Sequence, residues 1–149
     1  MIEKFSTFTY LILCLNRAIR KIKAKEMAEY NFKSSHVTCL YYIYKVNGIT
    51  AKELCDLCGE DKASVSRSLD FLESEGYIIN NSVDNKKYKT PILLTPKGRV
   101  ISKLMCDKID VALVKAGEGV TDDDREIMYR SLKIINDNLN KICDGYDKI

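Results

Sequence analysis

Tryptophan is absent from this 149-residue chain, histidine occurs once, and only 2 prolines and 7 glycines interrupt it. So few breakers favour long helices over a loop-rich or all-β design. No apolar run approaches the roughly 20 residues that a membrane-spanning helix needs. The opening MIEKFSTFTYLILCLNRAIRK holds a short apolar stretch, but charged residues flank it and no small-residue cleavage site follows. A cytoplasmic chain without a membrane partner is therefore expected. The lone His36 has no nucleophile or acidic partner at a recognisable spacing, and no glycine-rich phosphate loop or Ser-His-Asp order occurs. The expectation is a protein that is not an enzyme and holds no cofactor or metal, with His36 serving a helix end.

Charge of one sign is also scarce. The net charge is +3, and from Ser35 to Gly98 eight basic residues face eight acidic ones, so any electrostatic partner must be met locally. Two acid-free runs stand out: Arg17, Arg20, Lys21, Lys23 and Lys25, then Lys86, Lys87, Lys89, Lys97, Arg99 and Lys103. Six cysteines (Cys14, Cys39, Cys55, Cys58, Cys106, Cys143) lie in apolar-patterned segments. Without a secretory signal they are expected to pack in the core as free thiols. Cys55-x-x-Cys58 supplies two ligands where structural zinc wants four, so packing is again expected there, with a thiol switch left open.

What is present is helical punctuation. Phe5, Phe8, Ile12, Leu15, Ile19 and Ile22 form one stripe at helical spacing, and the polar stretch 31–34 ends it. Ser35 is the expected N-cap of a second helix to about Lys45. Thr50, with Glu53 three residues on, opens a third helix, TAKELCDLC, with Leu54 and Leu57 facing inward. Gly59 ends it, and Asp61 caps a fourth, whose inner stripe is Val65, Leu69 and Leu72. The period then turns strand-like over 77–79 and 88–94, a hairpin around NNSVDNKK. Thr95-Pro96 begins a fifth helix to about Ala116 through Ile101, Leu104, Met105, Ile109 and Ala112. Thr121 opens a sixth, with Met128, Leu132, Ile135, Leu139 and Ile142 on one stripe.

Three helices followed by a hairpin predict a mainly α fold with a small β-wing: a winged helix-turn-helix core over 35–95, flanked by dimerisation helices over 1–30 and 96–149, in one domain. The second helix of such a pair enters the major groove by its N-terminal residues. Here these are Lys62, Ser64, Ser66 and Arg67 around Ala63, with Arg67 able to fork onto guanine and the serines able to reach base edges or phosphates. Lys86, Lys87 and Lys89 at the hairpin are expected to meet the DNA backbone.

The stretch GITAKELCDLCGEDKASVSRSLDFLESEGYI, followed by LLTPKG, resembles the multiple-antibiotic-resistance regulator (MarR) family. The likeness rests on Glu53-Leu54, Val65-Ser66-Arg67, Leu69-Asp70, Leu72-Glu73, Gly76-Tyr77-Ile78 and Leu94-Thr95 with Gly98. It implies a homodimeric transcription regulator, a repressor, joined through its first, fifth and sixth helices. Its partner would be double-stranded DNA with a pseudo-palindromic operator, and its effector a small molecule or an oxidant. Cys14 falls on the first helix, where some relatives place an oxidation sensor. The family's Asp-x-Arg pair at the wing is replaced by Lys86 and Tyr88. That loss, with the neutral core, supports the alternative of a winged-helix protein-interaction module that does not bind DNA.

Overall fold

Capping chemistry sets the frame of the computed structural model, which describes residues 2–80 and 90–146, the side chains of residues 2–5 and 80 excepted. Its elements are α1 (Ile2–Glu26), a 3-10 turn (Ala28–Tyr30), α2 (Ser34–Lys45), α3 (Ala51–Cys58), α4 (Lys62–Ser74), β1 (Ile78–Asn80), β2 (Ile92–Leu94), α5 (Pro96–Ala116) and α6 (Asp122–Tyr146). At α3 the expected box is closed on both sides. The Glu53 amide donates to Thr50 Oγ1 at 3.3 Å, and the Thr50 amide donates to Glu53 Oε2 at 2.8 Å. Gly59 ends the helix in the left-handed region at φ 60°, which a residue with a Cβ rarely adopts. Asp61 Oδ1 then accepts the Ser64 amide at 2.7 Å and starts α4.

The start of α2 departs from expectation. The helix begins at Ser34, not after a Ser35 cap, and Lys33 is the capping residue. Its amide donates to Nδ1 of His36 at 3.1 Å, so the imidazole takes the place that a glutamate usually fills in a capping box. This acceptor nitrogen must be unprotonated. Nor is the segment before α2 simply a polar break: Met27 and Phe32 are both buried. A residue-by-residue polarity count hides two apolar side chains flanking a left-handed Asn31.

The chain falls into two compact units, residues 1–112 and 113–149. The core of the first gathers Met27, Val37, Leu40, Ile43, Ile49, Leu54, Val65, Leu72, Ile78, Ile92, Ile101 and Met105. Leu57, expected inside, is 47% exposed, because the short α3 turns its Ala51–Leu54 face inward and ends before another turn can follow. Leu104 is likewise at the surface of α5, while Ile101, Met105 and Ile109 are buried. The sheet is one antiparallel pair with Ile78 opposite Leu94, Ile79 opposite Leu93 and Asn80 opposite Ile92. β2 begins at Ile92, later than the pattern predicted, and β1 keeps its three residues but is shifted one onward, leaving Tyr77 in the turn. Pro91 lies outside β2 and bridges to Thr50, while the Ile92 amide donates to the Ile49 carbonyl at 2.9 Å. A second segment thus pins the base of the hairpin to the start of α3.

Thr95 joins the hairpin to α5. Its hydroxyl donates to the Gly76 carbonyl at 2.7 Å, and the same oxygen accepts the Gly98 amide at 2.9 Å. Pro96 fills the first helical position, as expected. Gly98 sits so close to the Tyr77 backbone that an added Cβ would lie 1.8 Å from its carbonyl oxygen.

In the second unit, Thr121 caps α6 by accepting the Asp124 amide at 3.1 Å, and Arg125 pairs with Asp122 at 3.0 Å. No described residue of α6 is buried. Ile127, Met128, Ile134, Leu139 and Ile142 are all exposed, and so in the first unit are Leu11, Ile12, Leu13, Leu15 and Ile19 of α1. Apolar stripes of this length on ordinary monomers are covered by something.

The cysteines divide. Cys39 and Cys106 are buried as expected, Cys14, Cys55 and Cys58 are only partly covered, and Cys143 is exposed. Cys143 lies near the end of α6, a helix that buries none of its described residues, so apolar patterning alone could not place it inside. Among the described residues no helix is long and apolar enough to cross a membrane.

Candidate nucleic-acid interface

Helix α4 is held by its inner stripe and presents its start outward. Val65, Ser68, Leu69 and Leu72 are buried, whereas Lys62 and Arg67 are exposed and Ser64 and Ser66 are half-buried. All four residues expected from the sequence therefore share the accessible side of the first two turns. Gly59, Glu60 and Asp61 link α3 to α4, and Glu60 is tied to Arg20 of α1 by an ion pair of 2.9 Å.

The start of α4 does not stand alone. A cleft of about 390 Å³ runs between it and the beginning of α2, lined by Lys33, Ser35, His36, Ser64, Arg67 and Phe71 among others. Its walls carry two cations, Lys33 and Arg67, and hydroxyls from both helices, a donor set matched to an anionic oxygen. The sequence reading missed Lys33 and Ser35, because their partnership with Ser64 and Arg67 is made by the packing of α2 on α4 rather than by spacing along the chain.

An aromatic stack fixes that packing. His36 lies flat on Phe71 with centroids 4.1 Å apart, and Phe32 meets Phe71 edge-on at 5.9 Å and Tyr77 at 5.2 Å. Burial, and then the neighbouring Lys33 ammonium, hold the His36 imidazole below its ordinary pKa. His36 is thus neutral and positions the two helices, in the helix-end role its sequence context suggested.

Of the second basic run, Lys97 is engaged. Its Nζ donates to the Glu75 carbonyl at 2.6 Å and lies 4.4 Å from the centre of the Tyr77 ring. Lys86, Lys87 and Lys89 lie outside the described residues. Of the first run, Lys23 is only half solvated and donates to Thr38 Oγ1 at 3.1 Å, tying α1 to α2. Cys14 is partly covered on α1, one turn after Tyr10, whose hydroxyl it holds above the ordinary range through a side-chain hydrogen bond.

Residues 30–85 match the sequence model of the MarR family. Over that stretch the chain is similar to the MarR family. Its fold is that of solved members over most of their length. It is 25% identical to a Listeria monocytogenes MarR family transcriptional regulator crystallised with 26mer DNA, covering 88% of this chain and 87% of that one with a TM-score of 0.79. It is also 25% identical to a MarR transcriptional regulator from Methanosarcina mazei Go1, with 91% of each chain covered and a TM-score of 0.78. The Staphylococcus aureus MarR in complex with salicylate and kanamycin shares the fold at 20% identity, with 93% and 94% covered and a TM-score of 0.76. No curated protein matches the chain.

Proposed function

We propose that this chain is a homodimeric transcription regulator of the MarR family that reads duplex DNA with α4 and works by binding rather than catalysis. The observation that carries the reading is the outward start of α4, with Lys62, Ser64, Ser66 and Arg67 accessible above a fully buried stripe. The Listeria relative with DNA in its crystal supports it. Arg67 is assigned the base contact, because its planar fork can hold guanine O6 and N7 together. Lys62, Ser64 and Ser66 take phosphates and base edges alongside it, and Lys86, Lys87 and Lys89 of the hairpin take backbone phosphates.

The exposed apolar stripes of α1 and α6 support the dimer: a second copy of the chain would bury what the isolated protein leaves in water. A twofold dimer reads a pseudo-palindrome with half-sites about one helical turn apart. Repression, and a small-molecule effector such as the Staphylococcus relative carries, complete the proposal. Residues 1–149 are read as one MarR-like domain, its winged core over 35–95.

Titration against a random duplex pool at several salt concentrations, beside Arg67→Ala, tests this. An enriched palindrome, affinity falling with salt, and at least about 10-fold weaker binding by the mutant are expected. Weak binding with no enriched sequence would favour a protein-interaction module, which the charge balance of 35–98 otherwise supports.

A further inference from the structure

The two cysteines that come together are not the pair the sequence advertises. Cys58, at the end of α3, has its sulfur 3.9 Å from that of Cys39 in the middle of α2, nineteen residues earlier. Cys39 is fully buried, while Cys58 is partly open to solvent. We propose that Cys39 and Cys58 form a peroxide-reactive dithiol that closes to a disulfide between α2 and α3.

The surroundings sort the two sulfurs into roles. Either sulfur can donate in this contact; with Cys39 as donor it is the main influence holding the Cys58 thiol below its ordinary pKa, with the Lys23 ammonium assisting. Burial and Glu60 oppose it, as does the C-terminal position on α3. The same contact, together with burial, pushes the Cys39 thiol far up. Lys23 is fixed beside the pair by its bond of 3.1 Å to Thr38. Cys58 is the sulfur that a solvent-borne oxidant can reach, so it is the attacking one, and the buried Cys39 is the resolving one.

The chemistry balances with a hydroperoxide as oxidant. The Cys58 thiolate attacks one peroxide oxygen and the O–O bond breaks. Sulfur becomes a sulfenic acid, and the departing oxygen leaves as alcohol or water after taking a proton. The Cys39 sulfur then attacks the sulfenic sulfur; the S–S bond forms, the S–O bond breaks, and the hydroxide leaves as water with the Cys39 proton. Two thiols have lost two electrons and two protons, and an external dithiol reverses the step. Closing to about 2.05 Å brings the sulfurs roughly 2 Å nearer, and the bridge pins α3, the first helix of the helix-turn-helix, to α2.

Any consequence for duplex affinity rests on the reading above, so the test reads the bond itself. The full-length reduced protein is treated with hydrogen peroxide, alkylated and digested without reductant. A Cys39–Cys58 linked peptide, a mass lower by about 2 Da and reversal by dithiothreitol are expected. Cys58→Ser removes the link. Cys39→Ala, chosen to spare the core a buried hydroxyl, leaves a sulfenic acid at Cys58 that dimedone traps. Oxidation confined to Cys14 or Cys143, a Cys55–Cys58 link in place of this one, or no dimedone adduct at Cys58 in a folded Cys39→Ala protein would each overturn the proposal. A protein that forms the bridge yet never binds DNA would refute the proposed function and leave this site standing.

Discussion

Replacing Gly98 by alanine is the sharpest test of how the winged core is assembled. The added methyl would lie 1.8 Å from the Tyr77 carbonyl oxygen and 2.8 Å from its carbon, both backbone atoms that no rotamer change can move. An ordinary contact needs about 3.4 Å or more, so α5 or the turn after α4 must retreat by well over 1 Å. That retreat strains the Thr95 junction, whose hydroxyl bridges Gly76 and Gly98 at 2.7 and 2.9 Å. Overpacking of this kind costs about 1–3 kcal/mol, and with the damaged junction about 3 kcal/mol or more is expected. In a chain of this size that lowers the thermal midpoint by about 6–12 °C. Gly145→Ala is the control: apart from its own stretch of helix, nothing lies within 4 Å of an added Cβ, and it sits in the last turn of α6. At a helix end the exchange should raise stability by no more than about 0.5 kcal/mol. Urea unfolding of both variants, followed by circular dichroism, reads the difference. If Gly98→Ala unfolds within about 0.5 kcal/mol of the parent, the close approach does not hold the junction and the reasoning fails.

Two further perturbations address the helix pair and the apolar faces. Because the folded state lowers the His36 pKa, the unfolded chain binds more protons as pH falls through and below about 6.5. Stability is thus fully present above that value and lost below it, and His36→Asn should flatten this segment of the urea-midpoint profile between pH 7.5 and 5.5; an unchanged slope would remove His36 as its source. Leu15, 57% exposed on α1, should carry dimer contact, so Leu15→Glu is expected to yield a folded monomer by sedimentation velocity, and an unaltered dimer would place the interface elsewhere.

Most of the frame was legible because it is written in short-range chemistry. Thr50 with Glu53, Asp61 before Lys62, Thr95 before Pro96 and Thr121 before three aspartates each satisfy helix amides within a few residues. The inner stripe of α4 was equally plain, since thirteen residues give its period room to show. Leu57 failed because an eight-residue helix has barely two turns in which to declare a face. Ser35 failed because a histidine can accept the capping amide as well as a carboxylate can, and residue type alone does not announce it. The cleft and the Cys39–Cys58 contact were illegible for one shared reason: each depends on which face of α2 meets α3 and α4, information that enters only with tertiary packing.

The balance of eight acids and eight bases in the winged core carries less weight against DNA than its arithmetic suggests. Asp61 faces the positive end of α4 and accepts its Ser64 amide, so its charge is partly met by the helix it starts. Glu60 is committed to Arg20, a cation that lies outside the counted segment. Glu53 is bound to Thr50, and those bonds hold its carboxyl below the usual carboxylate range. Three acids of the helix-turn-helix are thus turned toward local structure, while Arg67 and Lys33 border a cleft at the start of α4. Charge at a surface acts over a Debye length of about 8 Å at physiological salt, so the outward field depends on these nearest groups more than on the total. A core neutral by count can still present a small cationic site, and a site with few cations binds with a shallow salt slope. Under the proposed function, specificity would then lean on the fork of Arg67 and on the twofold pairing of two such sites, rather than on bulk attraction to the duplex.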